Sequence, residues 1–397
     1  MKTQQSTNLN LAIHTILQLV WEHESITRAQ LSRISGFSRS TITLNVDRLL
    51  AQGLLLEGRI NNKQSRTNLM INQDRGIFIG VEMDADCCEV GSTTIGGSLI
   101  NSERFAIDFD GGPDFILSQI ESCITKLCSM SQRKVLGIGV GLPTPVDYEK
   151  GHAVHPAFMP GWHHYPIKTN LADVFHCPVF VDNEVNTMAY GEVYLNQKLR
   201  SSDVLFIKLG MGIGSGLIVG GKIYRGNSGM SGNIGHMRYD AYTEKCSCGK
   251  QGCLEAIAGG TALLTKAREL AQLAHNSKSQ NVNEDQGYLT IQNLVDAVKQ
   301  GEQSIVALVE ERATIVGSMV GRMVLFFDPK TVILGGDLCN LGPHYIDCIK
   351  NAIITEATPW IMGDFDISVS KFTESIGVIG SAMLAIREVL ENGLLLD

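Results

Sequence analysis

The sequence predicts an α/β fold for most of the chain, preceded by a small domain of helices and a hairpin. From residue 76 onward, short apolar runs of strand length alternate with amphipathic runs of helical length, a pattern typical of helices packed on mixed sheets. Residues 1–75 lack this alternation and carry nine basic and five acidic side chains, a net charge of +4. The remaining residues carry 24 basic and 36 acidic side chains, a net charge of −12, so only the N-terminal segment is expected to meet a polyanion.

Composition indicates an ordinary globular protein. The chain has 397 residues, 44% of them hydrophobic, which is enough for two or three domains with separate cores. No apolar run approaches the roughly 20 residues of a membrane helix, and the N-terminus lacks the pattern of a signal peptide, so we expect a cytoplasmic protein without membrane insertion. Thiols stay reduced there, and the cysteines expected to be simply buried are Cys87, Cys88, Cys123, Cys128, Cys177, Cys339 and Cys348.

Three helices are predicted in residues 8–57. The second begins with a capping box formed by Thr27 and Gln30, and Gly36 fits the tight turn that follows it. Ser38 is the N-cap of the third helix, which ends at Gly53. The side chains whose helical spacing places them in the core are Leu9, Ala12, Ile13, Ile16, Leu17, Val20, Leu31, Ile34, Ile42, Val46, Leu49 and Leu50.

This arrangement predicts a winged helix-turn-helix. A recognition helix is the second of two helices joined by a short turn, here the third predicted helix. The polar groups expected to face DNA are Ser38, Arg39, Ser40, Thr41, Thr43 and Asn45. Residues 54–72 then predict a β-hairpin, the wing, whose phosphate contacts would be Arg59, Lys63 and Arg66. The alternative is a three-helix packing module with a solvated basic face; the two capped helices and the basic hairpin favour DNA binding.

A cysteine-rich loop predicts a zinc site. Cys246, Cys248 and Cys253 have C-x-C-x4-C spacing, and His236 lies ten residues before the first of them. Three thiolates and one imidazole are the tetrahedral ligand set that suits Zn²⁺. Four protein ligands leave no position for water, so the predicted zinc is structural, with one ion per chain. The alternative is a reduced loop without metal.

In the rest of the body, strands and helices are predicted from apolar runs bounded by turn residues. The strands are residues 76–83, 88–94, 135–143, 178–182, 203–210 and 331–337. The helices are residues 115–130, 305–327 and 378–393, and a polar surface loop is expected at 274–287.

Four features together resemble the ROK family of repressors and sugar kinases: the helix-turn-helix, the His/Cys loop, VDNEVNTMAYGE at 181–192 and DPKTVILGGD at 328–337. The resemblance extends from about Asn8 to Leu390, and it is greatest for the subgroup with an N-terminal DNA-binding domain, which includes the xylose, N-acetylglucosamine and glucose-pathway repressors. It implies a two-lobed actin-like (hexokinase-type) fold around a sugar cleft. The implied domains are a DNA-binding domain at 1–74, a small α/β lobe at 75–182 completed by 377–397, and a large lobe at 183–376 that carries the zinc loop.

The resemblance also implies which residues contact a sugar. In the family, the His and the Glu of the zinc motif face the sugar, which assigns this role to His236 and Glu255. Asn183 and Glu184 match the family's Asn-Asp pair beside the sugar hydroxyls, and Asn233 stands where the kinases have Glu. For Glu255, the alternative is a structural role as a cap of the helix that follows.

Departures from the kinase pattern predict that the protein is not an enzyme. Residues 82–86, Glu-Met-Asp-Ala-Asp, replace the family's Asp-x-Gly-Gly-Thr phosphate turn, and carboxylates there repel phosphate. Glu184 replaces the catalytic Asp, and its extra methylene moves the carboxylate by about 1.5 Å, a displacement that can cost about 100-fold in rate. The glycine-rich segments 210–216 and 335–336 still resemble the nucleotide-side loops of the family.

The function expected from these residues is a sugar-responsive repressor of carbohydrate-utilisation genes. It would bind palindromic operator DNA as a homodimer or tetramer and take a monosaccharide or sugar phosphate as effector. Two alternatives are an active ATP-dependent ROK sugar kinase and a repressor controlled by a protein partner.

Overall fold

A computed structural model describes residues 2–58, 67–277, 290–357, 365–372 and 375–395, with the side chains of 2–10 and 274–277 left out. Two compact units are present, residues 1–187 together with 377–397, and residues 188–376. The first unit contains both the predicted DNA-binding domain and the predicted small lobe, and the boundary between these two domains remains a prediction.

The N-terminal part of the first unit is three helices and a two-stranded hairpin. The Thr27 hydroxyl accepts a hydrogen bond from the Gln30 backbone N–H, and the Gln30 side chain accepts one from the Thr27 N–H, so the predicted capping box is confirmed. Gly36 follows with φ +74° and Ser38 caps the third helix, both as predicted. The elements are α1 (Lys2–His23), α2 (Arg28–Ser35), α3 (Arg39–Ala51), β1 (Leu55–Gly58) and β2 (Asn68–Ile71), with β1 antiparallel to β2.

The core of these helices confirms most of the predicted apolar face, with Ile34 as the exception. Ile34 is 45% exposed, because the short helix α2 buries only the stripe around Leu31, and Ile34 lies about 60° further round the helix. Leu50 is half-buried, and the side chain of Leu9 lies outside the described part. The predicted core residues that are buried are Ala12, Ile13, Ile16, Leu17, Val20, Leu31, Ile42, Val46 and Leu49.

The remainder of the first unit is a five-stranded mixed sheet in the order β5-β4-β3-β6-β9, with helices packed on it. Its central strands are apolar on both faces because helices cover both sides. Gly80 and Gly139 lack a Cβ where the backbone of α12 approaches, at Val378 and Ser381 respectively. The elements are β3 (Ile77–Met83), β4 (Cys87–Thr93), β5 (Leu99–Ala106), α4 (Pro113–Ser131), β6 (Val135–Leu142), β7 (Val146–Asp147), β8 (His152–Ala153), α5 (Ile167–Phe175), β9 (Val179–Asn183) and α12 (Ile376–Glu391).

The second unit has its own five-stranded sheet, in the order β12-β11-β10-β13-β14. Strands β10 and β13 are parallel and buried, and the long helix α10 packs along α11 over the core. The elements are α6 (Glu184–Leu195, which begins in the first unit), β10 (Val204–Leu209), β11 (Ile213–Val219), β12 (Lys222–Ile223), α7 (Leu254–Ala258), α8 (Gly260–Ser277), α9 (Ile291–Lys299), α10 (Gln303–Phe327), β13 (Thr331–Gly335), α11 (Pro343–Glu356) and β14 (Asp366–Val369).

All nine elements predicted for the body occur at their predicted places, and α8 extends to Ser277, into the segment expected to be a loop. The rest of that segment, up to residue 287, lies outside the described residues. Cys88, Cys123 and Cys177 are buried as expected, whereas the other four cysteines assigned to the core are half-buried. None of the helices in the described ranges is long and apolar enough to cross a membrane.

Candidate metal centre, sugar-contact residues and DNA-binding surface

The candidate metal centre lies on the loop between β12 and α7. His236 ends a short 3-10 turn, and Cys253 immediately precedes α7. Backbone hydrogen bonds fold the intervening chain back on itself, from the Cys246 N–H to the Lys250 carbonyl and from the Gly252 N–H to the Glu244 carbonyl. These bonds bring the four predicted ligands to one place although they are spread over eighteen residues.

The distances within this cluster fit a zinc ion. All four ligand atoms lie within 4.8 Å of one another, with 3.4 Å between Cys246 Sγ and His236 Nδ1 and 3.7 Å between Cys248 Sγ and Cys253 Sγ. Zn–S bonds of about 2.3 Å and Zn–N bonds of about 2.0 Å, arranged tetrahedrally, place sulfur about 3.6 Å from nitrogen and about 3.8 Å from sulfur. The donor set therefore has both the chemistry and the spacing of a closed Cys3His site.

Without a metal ion, the close thiols of this cluster oppose one another's ionisation. Burial, together with the neighbouring thiols of Cys248 and Cys246, raises the pKa of the Cys253 thiol to about 12. Burial opposes ionisation of Cys248 as well, but hydrogen bonds from the Lys250 backbone N–H and from the other thiols lower the pKa of Cys248. Several thiolates cannot share so small a volume without a positive charge between them, and a divalent ion supplies that charge.

Glu255 connects this loop to the glycine-rich strand β11. Its Oε2 accepts a hydrogen bond from the Ile213 backbone N–H at 3.1 Å, and Gly212 lacks the Cβ that would collide with the same oxygen. The N-cap of α7 is Cys253, and no side chain caps that helix, so Glu255 is not the helix cap of the alternative hypothesis. Asn233 lies exposed at the start of the 3-10 turn, where its carbonyl accepts a hydrogen bond from the His236 N–H.

Asn183 and Glu184 belong to the first unit, at the junction of β9 and α6. The Asn183 amide donates to the Thr144 carbonyl at 3.1 Å, and its oxygen accepts from the Val185 N–H at 3.0 Å. Asn183 therefore fixes the strand-to-helix turn, and Glu184 lies buried in the first turn of α6. The five predicted sugar contacts are thus divided between the two units, two in the first and three in the second.

The turn at residues 84–86, where the sequence departs from the expected phosphate-turn pattern, is a tight β-hairpin connection. The Asp84 N–H donates to the Cys87 carbonyl at 2.8 Å, and the Asp84 carboxylate accepts a hydrogen bond from the Ala85 N–H at 2.7 Å. The carboxyl group of Glu82 occupies the space that a Cβ at Gly377 would need, in the first turn of α12. The Asp84 carboxylate therefore lies at a backbone N–H of the turn, and the Glu82 carboxylate lies at the start of α12.

Four of the six predicted DNA-binding residues that the structure describes lie exposed at the start of α3. Ser38, Arg39, Ser40 and Thr43 are exposed and Thr41 is half-buried, whereas Arg59, Lys63 and Arg66 lie outside the described residues. The Ser38 hydroxyl lies 2.8 Å from the hydroxyls of both Ser40 and Thr41, so the cap also orients its neighbours.

The prediction that Asn45 faces DNA is wrong. Asn45 is 1% exposed and donates a hydrogen bond from Nδ2 to the Thr41 carbonyl at 2.8 Å. It follows Ile42 by three positions and precedes Leu49 by four, so it shares their buried face. The outward position beside it is Leu44, which is 65% exposed and which no polar pattern in the sequence singles out.

The fold and the site define a multidomain protein, with an N-terminal helix-turn-helix, two α/β units and a Cys3His cluster that could hold a metal ion. The chain belongs to the ROK family, whose sequence profile matches residues 79–388. It is 25% identical over 384 residues to the xylose repressor of Caldicellulosiruptor bescii, covering 94% of this chain and 95% of the repressor. It is 26% identical over 311 residues to the glucokinase of Halalkalibacterium halodurans, covering 77% of this chain and 94% of the kinase.

A crystal structure of a ROK family transcriptional regulator, a homologue of the Mlc protein of Escherichia coli, superposes with a TM-score of 0.81. The two sequences are 20% identical, and the match covers 98% of each chain. The predicted fold class, an N-terminal winged helix-turn-helix followed by the two-lobed actin-like ROK fold, is therefore confirmed.

Proposed function

We propose that this protein is a sugar-responsive transcriptional repressor of carbohydrate-utilisation genes, acting in the cytoplasm as a homodimer or tetramer. The observation that carries the proposal is the capped helix α3, which exposes Arg39, Ser40 and Thr43 in a segment that precedes the residues matched by the family profile. The glucokinase aligns over almost its whole length with only 77% of this chain, whereas the xylose repressor aligns with 94% of it. The part of the chain beyond the kinase match is the size of a DNA-binding domain.

The repressor would read DNA through α3 and position itself through basic side chains. Arg39 is a donor for guanine or phosphate, and Ser40 and Thr43 can bond either base edges or phosphate oxygens. Two copies related by two-fold symmetry present two such helices to the halves of a palindrome. The wing arginines and lysine at 59, 63 and 66 would add phosphate contacts.

The effector would be a monosaccharide or a sugar phosphate. The family resemblance assigns the contacts to Asn183, Glu184, Asn233, His236 and Glu255, and the zinc ion held by His236 and the three cysteines would fix the loop that carries two of them. Release of DNA requires that the sugar bind one conformation more tightly than the other, because a ligand with equal affinity for both shifts neither population.

The second candidate function is an ATP-dependent sugar kinase, which the match to a glucokinase favours. Three observations support loss of this activity. The Asp84 carboxylate already accepts the hydrogen bond of the Ala85 N–H, and the Glu82 carboxylate lies at the start of α12. Glu184 stands where the resemblance places a shorter, catalytic Asp. Negative charge in the position of a phosphate cradle opposes nucleotide binding.

The test begins with selection of bound duplexes from a random DNA library by the full-length protein. The selected site is then titrated by fluorescence anisotropy with a panel of aldoses, amino sugars and their 6-phosphates. We expect a palindromic site, weaker binding with Arg39→Ala, and release by one sugar that fails with Glu184→Gln. If the selection enriches no sequence, the proposal of a repressor is refuted. An enriched site that no sugar releases would indicate control by a protein partner.

A further inference from the structure

Helix α1 has a second contact face besides the one that forms the core of the N-terminal helices. His14, Gln18 and Trp21 follow one another at four and three positions, so they lie along one side of the helix. This side is about 100° round the helix from the buried side that contains Ile13 and Leu17. Trp21 is buried and His14 and Gln18 are half-buried, so other parts of the chain cover this side as well.

The C-terminal end of α12 contacts this face of α1. The Gln18 amide donates to the Glu391 carboxylate at 3.5 Å, and the Arg387 guanidinium donates to the same carboxylate at 2.8 Å. Gly393, just after α12, lacks the Cβ that would collide with the His14 imidazole. The last turn of α12 therefore packs directly on the first helix of the predicted DNA-binding domain.

The turn between β4 and β5 joins the same two helices. The Trp21 indole N–H donates to the Ile95 carbonyl at 2.9 Å. Two residues further on, Gly97 lacks a Cβ at the place where the Met383 sulfur of α12 lies. Helix α1 is thus held by α12 both directly and through this turn.

The N-terminal half of α12 lies close to the proposed effector contact Glu184. A Cβ added at Gly141 of β6 would lie 2.9 Å from Thr187 Oγ1 and 3.2 Å from both Ser381 Oγ and Glu184 Cα. Ser381 belongs to α12, and the Thr187 hydroxyl donates to the Glu184 carbonyl at 2.7 Å. The first turn of α6 and the helix α12 therefore meet at Gly141, which has no side chain to separate them.

Helix α12 connects these two places as one rigid element. The ten positions from Ser381 to Glu391 span about 15 Å at the rise of an α-helix. The helix backbone touches the sheet itself, since the carbonyls of Val378 and Ser381 lie where Cβ atoms at Gly80 and Gly139 would be. Close-packed contacts of this kind transmit a displacement instead of absorbing it.

We propose that α12 carries the effector signal from Glu184 to the DNA-binding helices. The inference rests on the proposed function, a repressor that a sugar releases from DNA. A sugar that displaces the first turn of α6 would move α12 through the contact at Gly141, and Glu391 and Gly393 would pass that movement to α1. Because α1 packs on α3, the recognition helix would move with it. The sugar acts only as far as it favours one position of α12 over the other.

The first test requires neither sugar nor DNA. Gly141→Ala inserts a methyl group between the α6 turn and α12, and hydrogen–deuterium exchange of α1 amides is measured in the full-length protein. We expect exchange in residues 11–23 to change at least about threefold, and this change to disappear when Glu391→Ala is also present. Gly111→Ala is the matched control, because its methyl group would press on Phe115 of α4 at the same 3.2 Å. Unchanged exchange in Gly141→Ala would overturn the proposal.

The second test measures how far a sugar releases the selected DNA site. The quantity is the ratio of the DNA dissociation constants with and without that sugar, measured by anisotropy on the full-length protein. Glu391→Ala should reduce this ratio at least about threefold, while calorimetry without DNA shows an unchanged sugar affinity. A ratio that stays at the wild-type value in Glu391→Ala would overturn the proposal.

Two further variants separate signal transfer from a general loss of helix stability. Glu391→Gln keeps an oxygen that accepts from Gln18 and should retain the wild-type ratio. Glu388→Ala, three residues earlier, removes a carboxylate that bonds to the Asn392 amide and should also retain it. An equal loss in Glu388→Ala would overturn the proposal. If no DNA site is selected or no sugar releases it, the proposed function fails, and α1 exchange in Gly141→Ala still decides whether α12 joins its two ends.

Discussion

The Glu255 carboxylate accepts a hydrogen bond from the backbone N–H of Ile213 at 3.1 Å, and this bond joins the cysteine-rich loop to the strand β11. Glu255 lies two residues after the metal-ligand candidate Cys253, and Gly212 leaves room for its carboxylate. A change in the metal cluster can therefore reach the glycine-rich segment of the second unit through one side chain. The same bond means that Glu255 has a structural role whether or not it also binds sugar.

The two roles of Glu255 are separated by Glu255→Gln and Glu255→Ala. The Gln side chain keeps an oxygen that accepts from Ile213, so its free energy of unfolding should stay close to that of the wild type. Ala leaves that N–H without its partner, which should cost about 1–3 kcal/mol in urea denaturation. If Glu255 also binds the effector, the Gln variant should bind sugar more weakly even though its stability is unchanged. Equal stability of the Ala and Gln variants would contradict the structural role.

Removal of one cysteine ligand should remove the zinc. We expect one zinc per chain in the wild type by elemental analysis and less than about a tenth of that in Cys248→Ser, because metal binding and folding of such a loop are coupled. The melting temperature should fall, and chelation of the wild-type metal should lower it similarly. Cys348→Ser is the control, since this half-buried thiol lies outside the cluster. Zinc retained by Cys248→Ser would refute the four-ligand site.

The grouping of His236 with Cys246, Cys248 and Cys253 was predictable from the sequence because the cysteine spacing and the chemistry of these side chains are local features. The capping box at Thr27 and the cap at Ser38 were predictable for the same reason. The burial of Asn45 was not, because a polar residue on an apolar helix face is found only when the partner, here the Thr41 carbonyl, is known. The bond from Ile213 to Glu255 joins residues 42 positions apart, and no local pattern contains it.

The burial of Asn45 leads to a prediction about the N-terminal helices. Asn45→Ala should lower the stability of the N-terminal helices by about 1 kcal/mol, because the hydrogen bond to the Thr41 carbonyl is lost. Arg39→Ala should leave that stability unchanged but weaken DNA binding at every sequence and reduce the salt slope by about one. Urea denaturation and anisotropy at several salt concentrations measure the two quantities. Weaker DNA binding in a fully stable Asn45→Ala would restore Asn45 as a base contact.

Leu44 is expected to read a thymine methyl group. Its side chain is 65% exposed on α3, next to the polar positions, and an apolar group there gains by contact with the 5-methyl of thymine in the major groove. Replacing each thymine of the selected site by deoxyuridine should weaken wild-type binding at one position in each half-site. The same replacement should have no effect on Leu44→Ala. If the deoxyuridine replacement weakens DNA binding by Leu44→Ala as much as it weakens wild-type binding, Leu44 contacts no thymine.

Kinase activity should be absent. With ATP and each sugar of the panel, ADP formation should not exceed the rate without sugar, because Asp84 and Glu82 place carboxylates at the β3–β4 turn and at the start of α12. A coupled assay for ADP, with a ROK glucokinase as positive control, measures this directly. Sugar-dependent ADP formation that disappears in Glu184→Gln would restore the kinase as the function of the chain.

Glu192 should make the second unit less stable as pH rises. Its carboxyl group is buried and bonded to the Ser370 hydroxyl, and burial raises the pKa of Glu192 despite that bond. The folded state therefore holds the proton at pH values where the unfolded chain has lost it, above about 4.3. The stabilisation is present below that pH and is lost as pH rises through the raised pKa of Glu192.

Glu192→Gln removes this dependence while keeping an oxygen for Ser370. The variant should gain stability relative to the wild type between pH 4 and pH 7.5, measured by urea denaturation at a series of pH values. Glu149→Gln, at an exposed glutamate, is the control and should show no such trend. A wild type that gains stability over the variant as pH rises would mean that the Glu192 carboxylate is stabilised as an anion in the folded chain.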